Sequence, residues 1–282
     1  MKKSLGTINE LRLATVPRHY INSAGGLGMF VLPCTRHRLL ITVTEGLHID
    51  KACEIGVHRG DFSDFMLRQI PLNSLYLVDK WSSQEIVNNF SPFDEMPFYI
   101  KDRLDGDIMN SFFDGSPYEQ ETIEKHYKYT AERFANDSRV KIIRESSFDA
   151  LSHFNPGELD LIYIDANHQY EFILRDLMTW SSKLSPDGLM VLNDCIISPK
   201  GVKQNLGVLQ AAMTFIRSSD FIPIAIHLRD FADLVLINKN SKYLDLVSSN
   251  LQRYDNCIEV PDCLIGQFSL KENGATSYFS FN

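Results

Sequence analysis

Asp165, Asn193 and Asp194 each follow an apolar run that reads as a buried strand, LDLIYID before the first and GLMVLND before the pair. Oxygen donors gathered at strand ends suit a hard divalent cation. Mg2+ is the natural choice, because it keeps positions open for water or substrate oxygens. The same carboxylates could instead accept bonds from backbone donors or from a cofactor's ammonium. His168 lies three residues after Asp165, in a D-x-x-H spacing. A neutral imidazole there could take the proton of a substrate hydroxyl, or serve as a structural hydrogen-bonding group.

A second constellation lies upstream. KACEIGVHRG runs from Lys51 to Gly60, and LYLVD, from Leu75 to Asp79, ends on an acid. A strand, a glycine turn, a helix and a strand-end acid about twenty residues on form the cofactor end of a doubly wound α/β domain. Gly56 permits a sharp turn, and Gly60 lets the next helix start close by. Asp79 can accept from both hydroxyls of a ribose. A dinucleotide loop needs a middle glycine, and Val57 and His58 stand there instead. His58 is expected to pack or cap. What remains, E-x-G-x-x-x-G on Glu54, Gly56 and Gly60, resembles motif I of class I S-adenosylmethionine-dependent methyltransferases. An ordinary strand–turn–helix with two incidental glycines is the plainer alternative.

The resemblance extends through DLIYIDANHQYE, DLMTW and LSPDGLMVLND, and VDKW at Val78 to Trp81 fits it too. Together they look like the metal-dependent small-molecule O-methyltransferases, a branch that includes the macrolide sugar (macrocin-like) O-methyltransferases. The similarity covers roughly residues 51–238. It implies S-adenosylmethionine as cofactor, held by Glu54, Gly56, Gly60, Asp79, Ser147 and Asp165. It implies Mg2+ on Asp165, Asn193 and Asp194, with His168 as general base. Here the amide precedes the acid, which lowers the charge of the pair. Ser146 and Ser147 fall where the family binds adenine, and Ser147 also reads as an N-cap. The implied reaction methylates a hydroxyl of a small molecule, such as a sugar or natural product. Transfer to nitrogen without metal, or a scaffold with another role, remain as alternatives.

Strand and helix patterns alternate from Ala52 to Ile237, which argues for a mostly parallel sheet with helices on both faces. The expected strands are Ala52–Val57, Leu75–Val78, Val140–Arg144, Leu159–Asp165, Leu189–Leu192, Ile222–His227 and Asp233–Ile237. The last two should form an antiparallel hairpin at one edge. The resemblance implies this Rossmann-like, doubly wound sheet of seven strands in the order 3-2-1-4-5-7-6. Helices are expected at Thr35–Leu47, Phe62–Gln69, Tyr118–Phe134, Glu171–Leu184 and about Gln204–Ser218, with Pro186-Asp187-Gly188 as a turn.

Residues 1–50 form an N-terminal extension for substrate or oligomer contacts, 51–239 the cofactor domain, and 240–282 a C-terminal extension. The insertion at 81–116 carries Phe90, Phe93, Phe98, Tyr99, Phe112 and Phe113, and reads as a lid or a subunit contact. The chain has 282 residues, net charge −8 and pI near 5.5, with no basic block, so nucleic acid is a poor partner. No apolar run is long enough for a membrane span, and the start lacks a signal-peptide core. Five scattered cysteines without a C-x-x-C pair suggest reduced thiols and a cytoplasmic setting. A small-molecule acceptor is the expected partner, and a homo-oligomer stays open.

Overall fold

The computed structural model describes residues 28–85, 106–195, 207–229, 232–273 and 276–281. Residues 1–27, most of the insertion with Phe90, Phe93, Phe98 and Tyr99, and the expected helix start at Gln204 lie outside the described residues.

The carboxyl edge of one sheet organises the molecule. Strands β1 (Gly28–Leu32), β2 (Lys51–Ile55), β3 (Ser74–Val78), β4 (Val140–Ile143), β5 (Leu159–Ile164), β6 (Leu184–Leu192), β7 (Phe221–His227), β8 (Leu234–Asn238) and β9 (Ile258–Pro261) lie in the order β4-β3-β2-β5-β6-β8-β7-β1-β9. Only β8 and β9 run against the others. Strands β10 (Phe268–Asn273) and β11 (Thr276–Phe281) pair as a separate antiparallel hairpin.

The helices are α1 (Arg36–Thr44), α2 (Asp61–Gln69), α3 (Gly106–Phe113), α4 (Gln120–Phe134), α5 (Tyr170–Trp180), α6 (Val208–Arg217) and α7 (Leu244–Gln252). Ile173, Leu177 and Trp180 of α5 and Leu209, Ala212 and Phe215 of α6 pack on one face of the sheet. Leu39, Leu40 and Val43 of α1, Phe62 and Met66 of α2 and Val247 and Leu251 of α7 pack on the other. Leu161, Ile162, Tyr163 and Ile164 of β5 are fully buried. Cover on both faces is why that strand reads as a continuous apolar run rather than an alternation.

The seven expected strands are β2 to β8, and their order matches the implied one. The sheet nevertheless has nine strands, not seven. The two extra come from outside the expected domain: β1 pairs parallel with β7, and β9 pairs antiparallel with β1. The β7–β8 hairpin is therefore internal rather than at an edge. Its exposed flank would present unpaired backbone groups, and GMFVL from the N-terminal side covers them. Two local boundaries also differ. Helix α5 stops at Trp180, and Leu184 begins β6, which carries Pro186-Asp187-Gly188 within it. The register between β5 and β6 slips there, as a bulge allows.

Two glycines shape the loop after β2. Gly60 is left-handed, φ +70°, and starts α2. Gly56, at φ +87°, has no room for a side chain, since a Cβ would lie 2.1 Å from the carbonyl oxygen of Asp165. Gly56 therefore packs directly against the loop that follows β5. Gly56→Ala meets both left-handed strain and a backbone clash. Urea unfolding is expected to show a loss of about 3 kcal/mol or more.

Candidate active site

Because β1 runs parallel to β2 and β5, the segments after all three open on the same edge. A cavity of about 770 Å³ lies there, lined by Glu54, Gly56, Asp79, Ser147, Asp165, His168, Asn193 and Asp194. Those eight predicted residues come together; Gly60 does not line the cavity and instead packs under Phe134. The volume is that of an ordinary small-molecule site.

Asp79 holds the cofactor-side loop. Its carboxylate accepts from the backbone N–H of Val57 (2.8 Å), His58 (3.0 Å) and Trp81 (2.7 Å). Burial raises its pKa, and those three bonds pull it back. They use three of a carboxylate's roughly four acceptor sites, leaving room for one further hydroxyl rather than the expected two. His58 and Trp81 both sit at positive φ, so the bonds also hold strained backbone. As expected, His58 packs. Its ring stacks on Phe112 at 5.1 Å and meets His126 edge-on at 4.4 Å. Burial pushes its pKa down to about 3, which keeps it neutral.

Glu54 is 2 % exposed, and the Ser63 hydroxyl donates to it. Burial lifts its carboxyl well above the usual range, against the Ser63 bond. Ser147 donates to Asp176 of α5, whose pKa burial pushes up to about 6. The turn-capping serine is Ser146, not Ser147: its hydroxyl accepts from the Asp149 N–H at 3.2 Å. Ser147 is thus free of the capping role and faces the cavity with Asp176.

The acidic end is built around Asp165. Its Oδ1 lies 3.4 Å from Nε2 of His168, and its Oδ2 lies 3.4 Å from Nη1 of Arg36. Burial alone would lower the His168 pKa, but Asp165, Asp194 and Asn193 outweigh it and the net shift is upward. Beneath them runs a buried network. Tyr163 donates to Asp233 at 2.7 Å and accepts from Arg36 at 3.2 Å. The Asn193 amide donates to Asp233 at 3.0 Å, and Nε2 of His227 lies 3.3 Å from the same carboxylate. Arg229 N–H donates to Nδ1 of His227, which leaves Nε2 as the ring nitrogen turned toward Asp233.

Arg36, Tyr163, Asp233 and His227 carried no signal that the motifs used. In hindsight Tyr163 is the one polar-tipped residue facing inward from β5. Asp233 immediately precedes β8, and Arg36 follows Thr35, whose hydroxyl caps α1.

Asp165, Asn193 and Asp194 fit the expected Mg2+ poorly. A guanidinium already stands beside the Asp165 carboxylate, and a second cation there would be repelled by it. Asn193 could offer a cation only its neutral carbonyl oxygen, which adds no charge to the site. Among the described residues no three His, Cys, Asp or Glu side chains gather as a metal site. The donor chemistry suits a cofactor better. A buried acid and a strand-end carboxylate with one acceptor site left match an amino-acid and ribose ligand.

A family model described as a methyltransferase domain matches residues 53–195, just over half of the chain. No curated protein matches it. Several solved structures align with the chain at low identity. A Corynebacterium glutamicum protein is 14% identical over 78% of this chain and 87% of its own, with a TM-score of 0.45. The N-methyltransferase NodS from Bradyrhizobium japonicum WM9 is 13% identical over 71% and 92%, TM-score 0.42. Spermidine synthase from Thermotoga maritima is 13% identical over 71% and 57%, TM-score 0.41.

Asp194 supplies a stability test. It sits at φ +54°, and burial, with Asp165 and Asp233 nearby, pushes its pKa from 3.8 to about 6. The unfolded chain therefore ionises it first, and stability should fall as pH rises from about 4 to about 6. Asp194→Asn removes that penalty. Thermal unfolding above pH 6 should show the variant more stable than wild type, by at most about 3 kcal/mol. Equal stability at every pH would place Asp194 in water.

Proposed function

Because the chain belongs to the methyltransferase domain family, and is thereby an S-adenosylmethionine-dependent enzyme, we propose that it methylates a hydroxyl of a small molecule. The observation that carries this reading is His168 beside Asp165 on the wall of the cofactor cavity. A hydroxyl oxygen must lose its proton in the course of methyl transfer from a sulfonium, and a positioned imidazole is suited to take it. A sugar or related natural product, as in the macrolide-type branch, is the acceptor class this reading favours.

The bound cofactor supplies the methyl group on a positively charged sulfur. Asp79 offers its remaining acceptor site to a ribose hydroxyl and keeps the Val57–His58 loop in place. Glu54 offers a carboxyl near the amino-acid end, where an ammonium would draw it toward its charged form. Ser147 and Asp176 present a hydroxyl and a carboxyl at the adenine end. Phe112 and Phe113 from the insertion, and α1 from the N-terminal segment, close the acceptor side. As the C–O bond forms and the C–S bond breaks, the hydroxyl proton passes to His168. Asp165 holds that imidazole from one side and favours its charged form.

The upward shift of His168 sets the sign of the pH dependence. Only the neutral ring accepts a proton, so kcat should rise through a pKa above the ordinary 6.5. His168→Ala should lower kcat by about 10²–10⁴ and remove that acidic limb. Calorimetry with S-adenosylhomocysteine should show cofactor affinity unchanged. A variant with normal turnover would move the reading to transfer onto nitrogen, which needs less help with the proton.

A further inference from the structure

We infer that Arg36 is the resident cation of the acceptor site, holding the acceptor oxygen where the resembled enzymes would use a divalent metal. This rests on the hydroxyl-transfer reading and adds a residue to it.

Placement comes first. Arg36 is the first residue of α1, beyond the carboxyl end of β1, and it lines the same cavity as His168. Its side chain is tied from several directions. Nη1 donates to the Tyr163 hydroxyl at 3.2 Å and lies 3.4 Å from Asp165, and the Phe62 ring lies 5.7 Å from its central carbon. Tyr163 is fully buried and itself anchored on Asp233. The guanidinium is therefore held by a preorganised shell, while its side chain remains 37% exposed at the cavity.

The chemistry divides cleanly between the two groups on Asp165. Arg36 stands at one carboxylate oxygen and His168 at the other. A guanidinium cannot accept a proton at any working pH, so it can only stabilise the oxygen's negative charge. An imidazole can take the proton. Burial works against the Arg36 charge, yet Tyr163, Asp165 and Asp233 raise its pKa further still. An acceptor hydroxyl seated by both would lose its proton to His168 and keep its developing charge beside Arg36. Fixed cationic donors aimed at developing charge are an effective form of such stabilisation. The same guanidinium neutralises the acids that would otherwise attract a divalent ion.

The test titrates the full chain with Mn2+ as the probe, followed by calorimetry and by the electron spin resonance of the ion. Wild type should show no saturable site. Arg36→Ala should gain one, and Arg36→Ala with Asp165→Asn should lose it again. Wild-type turnover should survive EDTA, with an acceptor identified by release of S-adenosylhomocysteine. Arg36→Ala should lower kcat about 10²–10³-fold, and Arg36→Lys should recover part of the loss. A saturable Mn2+ site in wild type that Asp165→Asn removes would overturn the inference. So would an Arg36→Ala protein that binds no Mn2+, or one that turns over normally. The wild-type titration stands even where a variant fails to fold. S-adenosylhomocysteine binding is measured on the same samples. Its absence from wild type would count against the methyltransferase reading, separately from the role of Arg36.

Discussion

Asp165 is fixed by backbone before its side chain does anything. Its N–H donates to the Ile55 carbonyl at 2.8 Å, and its own carbonyl packs so close to Gly56 that no side chain fits between them. The loops after β2 and β5 are thereby locked together. A carboxylate set at that junction can hold a base on one oxygen and a cation on the other. Cofactor loop and acceptor chemistry depend on the same contact, so a shift of the Gly56 turn would move both.

The second organising element is the buried carboxylate of Asp233. It accepts from Tyr163 and Asn193, and the His227 edge lies beside it, all nearly free of solvent. A buried charge of this kind is tolerated only when its acceptor sites are filled. Filling them fixes the orientation of Asn193 and the tilt of Tyr163, and Tyr163 in turn helps place Arg36. The strand pair β7–β8 contributes to the site through this layer rather than by touching the cofactor loop.

Much of this was legible from residue order. Strands β2 to β8 carry their pattern on themselves, and all but the edge strand β4 bury most of their residues. Their order followed from the resemblance, and Gly56 and the strand-end acids line the cavity. What stayed hidden depends on distant partners. GMFVL and IEVP are short, and become strands only against the flank of β7 and against each other. Arg36 meets Asp165 across 129 residues of chain, a pairing that no local spacing encodes. The bonds from Val57, His58 and Trp81 to Asp79 are made by backbone, which leaves no trace in side-chain type. Ser146 and Ser147 are neighbours with the same chemistry, and only the fold separates capping from cavity.

A crystal structure with bound S-adenosylhomocysteine tests most directly the claim that donor and acceptor chemistry meet at Asp165. The sulfur should face the space between His168 and Arg36, with Asp79 accepting from one ribose hydroxyl and Ser147 at the adenine end. A ligand whose sulfur points away from His168 and Arg36, or which lies outside the cavity at the carboxyl ends of β2 and β5, would contradict it.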